Sequence, residues 1–98
     1  MRMSYREILS ALGDEQRRQV LMELKRGRLS AGELASALGT SPQALSYHLS
    51  KLKKAGLIYE TREKNFIYYE LDITVIDEVL LWLTELKGGT HEAIKADT

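Results

Sequence analysis

A three-residue turn, Gly39-Thr40-Ser41, constrains the fold of this chain more than any other feature of its sequence. The segment before the turn has helical apolar spacing and opens with Ser30-Ala-Gly-Glu33, the pattern of a capping box. The dipeptide Ser41-Pro42 starts another helix, because serine caps helix N-termini and proline is tolerated in the first turn. Two helices joined by so short a turn cross steeply, which predicts a helix-turn-helix.

The rest of the chain is predicted to be mainly α with a small β-hairpin, an α+β fold. Two helices precede the central pair, the second of them capped by Asp14, and the fourth helix runs from residue 42 to about 55. The runs LIYET and FIYYEL are rich in strand formers and are joined by Arg62-Glu63-Lys64-Asn65, which predicts a hairpin. Helical spacing then returns from Ile73 to near Lys87. The predicted order is ααααββα, in one domain over residues 1–87, with a frayed tail at 88–98.

Composition narrows the possible functions. None of the 98 residues is cysteine, which excludes disulfides and thiolate metal sites. A composition of 44% hydrophobic and 29% charged residues is typical of a soluble globular domain. The N-terminus lacks an apolar signal core, and the longest apolar run, Val79 to Leu83, is far too short to span a bilayer. A cytoplasmic protein without membrane insertion is therefore expected.

Charge is unevenly distributed although the net charge is zero. Residues 41–68 carry five basic and two acidic side chains, whereas residues 69–98 carry two basic and seven acidic ones. A basic middle segment suits a nucleic-acid partner, and a plain solvated surface explains the same distribution equally well.

A helical wheel of residues 42–55 separates a buried side from an outward side. Leu45, Leu49 and Leu52 fall together and define the buried side. His48 falls at its border, which favours packing and local hydrogen bonding over metal ligation or catalysis. The opposite side is polar and suits contacts with base edges and phosphates, although a solvated helix face is the alternative. Gln43, Tyr47, Ser50 and Lys54 lie on this outward side, and Ser46 and Lys51 flank it.

Residues 8–71 resemble the ArsR-type winged helix-turn-helix repressors, most specifically in the strings LSYHLSKLKKAGLI and FIYYEL. The resemblance implies a homodimeric transcriptional repressor on double-stranded DNA, with helix 42–55 in the major groove and the wing at the minor groove or backbone. Thr40, Ser41, Gln43, Ser46 and Tyr47 match DNA-contacting positions of the family, and Arg62 and Lys64 match the wing. Family members often carry glycine near Lys64. Here Asn65 is expected to take the left-handed conformation that closes the wing, and it is included among the wing residues.

The last helix is apolar over most of its circumference near Leu80 to Leu83. A helix that lies on a single domain needs only one apolar stripe, so a second face is expected to pack elsewhere. We predict a homodimer through the first and last helices, and a two-fold dimer predicts a palindromic operator. A fully enclosed core helix is the alternative. The predicted interface consists of Tyr5, Ile8, Leu9, Leu12, Val79, Trp82, Leu83 and Leu86.

Neither a metal site nor a cofactor is predicted. Some metal-sensing relatives carry cysteines at positions that match Ser30, Gly32 and Ala35. Others place a histidine two residues after an aspartate on the last helix, and here the residue two positions after Asp77 is Val79. The chain is closer to the branch of autorepressors without metal sites, the SdpR type. A small-molecule or protein antagonist, an effector-responsive sensor and a winged helix that binds only protein remain alternatives.

An enzyme is not expected from this sequence. Ser46 and His48 lie two residues apart on one helix and therefore point in nearly opposite directions. No glycine-rich phosphate loop, nucleophile elbow or carboxylate pair is present.

Overall fold

The computed structural model describes residues 4–88, which form five helices and three strands. The predicted order of helices and hairpin is confirmed, with one addition, the two-residue strand β1. Two residues are too few to produce the alternation by which a strand is identified. Most of the predicted tail lies outside the described residues. The elements are α1 (Tyr5–Leu12), α2 (Glu15–Leu24), β1 (Leu29–Ser30), α3 (Ala31–Leu38), α4 (Pro42–Lys54), β2 (Ile58–Glu63), β3 (Phe66–Leu71) and α5 (Ile73–Leu86).

Every one of these five helices begins at a side chain that accepts a hydrogen bond from a backbone amide of the first turn, which satisfies one of the free N–H groups there. Ser30 and Glu33 form the predicted capping box, with the Ser30 amide 2.8 Å from Glu33 Oε1. Gly39 ends α3 in the left-handed conformation, at φ 63°. The caps are Ser4, Asp14, Ser30, Ser41 and Asp72.

The hydrophobic core is formed by α4 together with the helices and strands that pack against it. Leu45 and Leu52 of α4 are at most 2% exposed and pack with Ile8, Val20 and Leu34 from the three preceding helices. Each buried aliphatic side chain contributes roughly 1.5–3 kcal/mol relative to exposure. The buried leucines therefore fix which face of α4 remains in solvent.

The sheet has the order β1-β3-β2 with antiparallel pairing throughout. Arg62 pairs with Ile67 and Glu63 pairs with Phe66, so the loop has only two residues, Lys64 and Asn65. The expectation that Asn65 takes the left-handed conformation is wrong: Lys64 takes it, at φ 58°. The tightest hairpin turns have a positive φ at their first central residue, and that residue is Lys64 once Arg62 and Glu63 belong to β2.

Within residues 4–88, none of the helices combines the length and the apolar character needed to cross a lipid bilayer.

Candidate nucleic-acid interface

The outward face of α4 carries the side chains that the helical wheel assigned to it. Tyr47 is 57% exposed, while Leu45 on the opposite side is 2% exposed. Lys51 lies along the same surface, with its Nζ 5.6 Å from the centre of the Tyr47 ring. The helix thus presents a continuous polar strip to solvent. Thr40 is partly buried, and the exposed predicted residues are Ser41, Gln43, Ser46, Tyr47, Ser50, Lys51 and Lys54.

Two lysines near the end of α4 form ion pairs with neighbouring elements. Lys54 Nζ lies 3.5 Å from Glu7 Oε2 of α1, and Lys53 pairs with Glu60 of β2. The hydrogen bond to Glu60 raises the pKa of Lys53. Exposed pairs of this kind are worth about 0–1 kcal/mol, so Lys54 can exchange its carboxylate for a phosphate at little cost.

His48 is buried, and its hydrogen bonds define its role. Its Nδ1 lies 3.4 Å from an Arg17 guanidinium nitrogen, and its Nε2 lies 2.8 Å from Gln16 Oε1. A guanidinium only donates, so Nδ1 is the acceptor and the ring carries its proton on Nε2, which donates to Gln16. His48 therefore joins α4 to the start of α2, in agreement with its predicted packing and hydrogen-bonding role.

Arg17 is a structural residue that the sequence analysis did not find. It is buried at 8% exposure, and it donates from Nε to Ala11 O at 2.9 Å and from its second terminal nitrogen to Ser10 O at 3.1 Å. These carbonyls belong to the last turn of α1, where a positive charge is favoured, and Ser10 O also accepts a hydrogen bond from the Gly13 amide at 3.2 Å. The signal in the sequence is the arginine pair one turn into α2, directly after the short α1–α2 turn.

Asp14 supports the same junction from the start of α2. Its carboxylate accepts a hydrogen bond from the Arg17 amide at 3.2 Å, which lowers the pKa of Asp14 below its ordinary value. The Asp14 carboxylate therefore stabilises the folded protein at a pH above its unfolded-state pKa, and this stabilisation is lost as the pH falls through its lower folded-state pKa.

The wing is basic only at its tip. Arg62, Lys64 and Asn65 are exposed there, as a DNA contact requires. Glu63, between Arg62 and Lys64 in the chain, pairs with Arg28, and further from the tip Glu70 accepts a hydrogen bond from Thr61 at 3.1 Å. The acidic side chains of the hairpin therefore lie beside its cations as well as further from the tip.

The acidic lower part of the wing also affects nearby tyrosines. The negative charge of Glu70 raises the pKa of Tyr59, and burial followed by the charge of Glu60 raises the pKa of Tyr69. Both phenols therefore remain protonated at neutral pH and can act as hydrogen-bond donors.

The predicted dimer surface divides into buried and exposed residues. Ile8 is 0% and Val79 is 7% exposed, so both belong to the core of their own protomer and are unavailable to a partner. Tyr5 of α1 and Trp82 of α5 are in tilted ring contact, with ring centres 5.4 Å apart and ring planes at 36°. Tyr5, Leu12 and Trp82 are partly buried. Leu9, Leu83 and Leu86 are exposed as an interface requires, and Ile73, Leu80 and Leu81 of α5, which were not predicted, are exposed too.

Residues 4–88 contain no group of three or more histidine, cysteine or acidic side chains placed to hold a metal ion.

Comparison with known proteins identifies the family. Residues 14–60 match the model for bacterial regulatory proteins of the arsR family. The chain is 37% identical over 76 residues to the transcriptional repressor SdpR of Bacillus subtilis (strain 168), covering 78% of this chain and 84% of that protein. The chain belongs to the ArsR family. The resemblance to ArsR-type repressors is thereby confirmed.

Two further relatives describe what this ArsR-family protein is similar to. It is 37% identical over 79 residues to the transcriptional activator HlyU of Vibrio cholerae serotype O1, covering 81% of this chain and 73% of HlyU. The homodimeric winged helix-turn-helix DNA-binding domain of Mb0332 from Mycobacterium bovis superposes with a TM-score of 0.69 at 25% identity, covering 83% of this chain and 78% of that one. This ArsR-family protein is accordingly a winged helix-turn-helix transcriptional regulator and not an enzyme, as predicted.

Proposed function

We propose that this chain is a homodimeric repressor that binds a palindromic DNA operator through α4 and the wing. The exposed polar strip of α4 carries the proposal. Its residues are held outward because Leu45, Leu49 and Leu52 are buried on the other side of the same helix. An α-helix presented in this way fits the major groove, where each base pair displays a distinct pattern of donors and acceptors.

Base reading is assigned to the first half of α4. Gln43 lies in its first turn and carries an amide, which pairs in bidentate fashion with adenine. Tyr47 is one turn further along the same face and offers either its hydroxyl or its ring edge. Ser46 and Ser50 flank this pair, and Thr40 and Ser41 lie at the entry to the helix, where backbone and hydroxyl groups meet phosphates.

Phosphate contacts are assigned to the cations around this strip. Lys51 and Lys54 lie on α4, and Arg62 and Lys64 lie at the wing tip with Asn65. Contacts of this kind position the protein and make its affinity depend on salt, because bound counterions are released from DNA.

Dimerisation is assigned to α1 and α5. Leu83 and Leu86 are 47% and 69% exposed, and Leu9 of α1 is 47% exposed. Apolar side chains so exposed along a helix favour burial against a second copy. The homodimeric state of the Mycobacterium bovis domain supports this arrangement. Two-fold symmetry then presents two α4 helices to half-sites ~34 Å apart.

The proposal also assigns repression, and not activation, to the protein and places it in the cytoplasm. SdpR is a repressor and HlyU an activator, and we assign repression because the wing and α5 of this chain resemble the autorepressor branch. We place the protein in the cytoplasm, where bacterial DNA is accessible, and we take the DNA upstream of its own coding sequence as the operator to test.

Sequence-specific binding is tested by titrating a fluorescein-labelled duplex of that upstream DNA. Gln43→Ala and Tyr47→Ala should each weaken binding about tenfold, because loss of a good base contact costs roughly 1–3 kcal/mol. Met22→Ala truncates an exposed side chain of α2 and is the control, with wild-type affinity expected. If both α4 variants bound like wild type, the assignment of this face would be wrong. Equal binding of a scrambled duplex would exclude sequence specificity.

Arg62→Ala tests the role of the wing. Because a phosphate contact is independent of sequence, this variant should weaken binding to specific and scrambled duplexes by about the same factor. The slope of log affinity against log salt should become shallower by about one unit. Titrations at several salt concentrations measure both quantities. A loss confined to the specific duplex would instead assign Arg62 to base reading.

A further inference from the structure

Arg28 connects the body of the protein to the wing by two different contacts. It lies between α2 and β1, and its guanidinium pairs with the carboxylate of Glu63. The same guanidinium carbon lies 4.2 Å from the centre of the Tyr68 ring. An arginine can make both contacts at once because its charge is planar and delocalised, whereas a lysine ammonium cannot stack and pair in the same way.

Both partners of Arg28 lie on one face of the hairpin. Tyr68 pairs with Thr61, and Phe66 pairs with Glu63, which places the Glu63 and Tyr68 side chains on the same side of the sheet. Glu63 is the last residue of β2 and precedes the wing tip at Lys64. Arg28 therefore lies across the hairpin and reaches the end at which Arg62 and Lys64 are exposed.

The opposite face of the hairpin is held by a different ion pair. Glu60 and Tyr69 are directly opposed on that face, and Glu60 pairs with Lys53 of α4. β1 pairs only with Tyr68 and Tyr69 of β3, so the part of the hairpin nearest the tip is two-stranded and has little packing of its own to fix its direction. Its orientation relative to the recognition helix consequently depends on contacts at its two faces.

We infer that Arg28 is a positioning residue, which holds the wing tip in its DNA-binding orientation through Glu63 and Tyr68. The inference rests on the proposed function, since it assigns Arg28 a role in presenting Arg62 and Lys64 to DNA. We call Arg28, Glu63 and Tyr68 the wing clamp.

Glu63→Gln separates the wing clamp from a simple charge effect. The change removes a negative charge beside the DNA surface, so electrostatics alone gives tighter binding. The wing clamp gives the opposite result, about fivefold weaker binding of the upstream duplex, the size expected for one exposed ion pair stacked on a ring. Glu23→Gln is the control, because it makes the same charge change and breaks the pair between Glu23 of α2 and Arg26 just after that helix.

A double-mutant cycle tests whether Arg28 acts through Glu63. If it does, Glu63→Gln should weaken binding in the wild-type protein but should not weaken it further in the double variant Arg28→Gln/Glu63→Gln, because Arg28→Gln has already broken the clamp. If Arg28 instead contacts phosphates by itself, Arg28→Gln weakens binding, Glu63→Gln tightens it and the two effects add. That second pattern overturns the inference.

Amide hydrogen exchange tests whether the wing clamp holds the hairpin in the protein without DNA. Glu63→Gln and Arg28→Gln should speed exchange in residues 58–71 and leave the amides of α4 unchanged, because opening is local. Unchanged exchange in the hairpin overturns the wing clamp even if the wild-type protein binds DNA. A wild-type protein that bound no duplex would overturn the proposed function, while the exchange result would still decide on the clamp.

Discussion

Replacing Leu83 with glutamate is expected to convert the dimer into a monomer and to lower operator affinity on the order of 100-fold, because the two half-sites are no longer bound together. Leu83 is 47% exposed in the protomer, so the substitution leaves the core of each subunit intact. In the dimer, by contrast, it would bury a carboxylate without a partner. Light scattering at micromolar concentration measures the state of association, and titration of the upstream duplex measures the affinity.

Met22→Glu is the matched control for this experiment. Met22 is an apolar side chain of α2 that is 59% exposed, and it lies outside the proposed interface. The same substitution there should leave the protein dimeric. A Leu83→Glu variant that remained dimeric would place the interface elsewhere, and a wild-type protein that scattered as a monomer would exclude the dimer altogether.

Replacing Arg17 with methionine is expected to lower the free energy of unfolding by about 2–3 kcal/mol. A hydrogen bond from a charged group is worth roughly 1.5–3 kcal/mol, and the buried acceptors in Ala11 and His48 would lose theirs. Methionine keeps much of the length of the side chain, so the effect reports the lost hydrogen bonds to Ser10, Ala11 and His48 more than lost volume. Urea denaturation followed by circular dichroism measures the change.

Arg18→Met provides the comparison on the neighbouring residue. Arg18 donates to Leu12 O at 2.6 Å, the next carbonyl of the same helix end, but this hydrogen bond is exposed to solvent. Water can replace it, so a loss below ~1 kcal/mol is expected. Equal losses for the two arginines would show that burial of the Arg17 network adds nothing to stability.

Periodicity predicted the face of α4 because the buried set repeats with the helix. Leu45, Leu49 and Leu52 are buried as the helical wheel required, and His48 at its border is 8% exposed. The same reasoning was less successful for the dimer surface. Spacing identifies the apolar sides of α1 and α5, but it does not distinguish the side that packs on the protomer's own core, to which Ile8 and Val79 belong.

Contacts between residues that are far apart in the sequence could not be predicted from local sequence patterns. Arg17 meets His48 across 31 residues, and Arg28 meets Glu63 across 35 residues. No local pattern encodes which arginine reaches which acceptor, since that depends on the packing of helices and strands. The left-handed Lys64 was missed for a related reason: the turn position of each residue depends on strand register, which a one-residue shift alters.

The contact between Tyr5 and Trp82 gives the protein an internal spectroscopic reporter. Trp82 is the single tryptophan of the chain, and its ring on α5 lies against Tyr5 of α1. Its intrinsic emission is therefore sensitive to the polarity of the α1–α5 seam. Association of the subunits can consequently be followed by the emission of Trp82 and DNA binding by the fluorescein-labelled duplex in the same sample, without a dye attached to the protein.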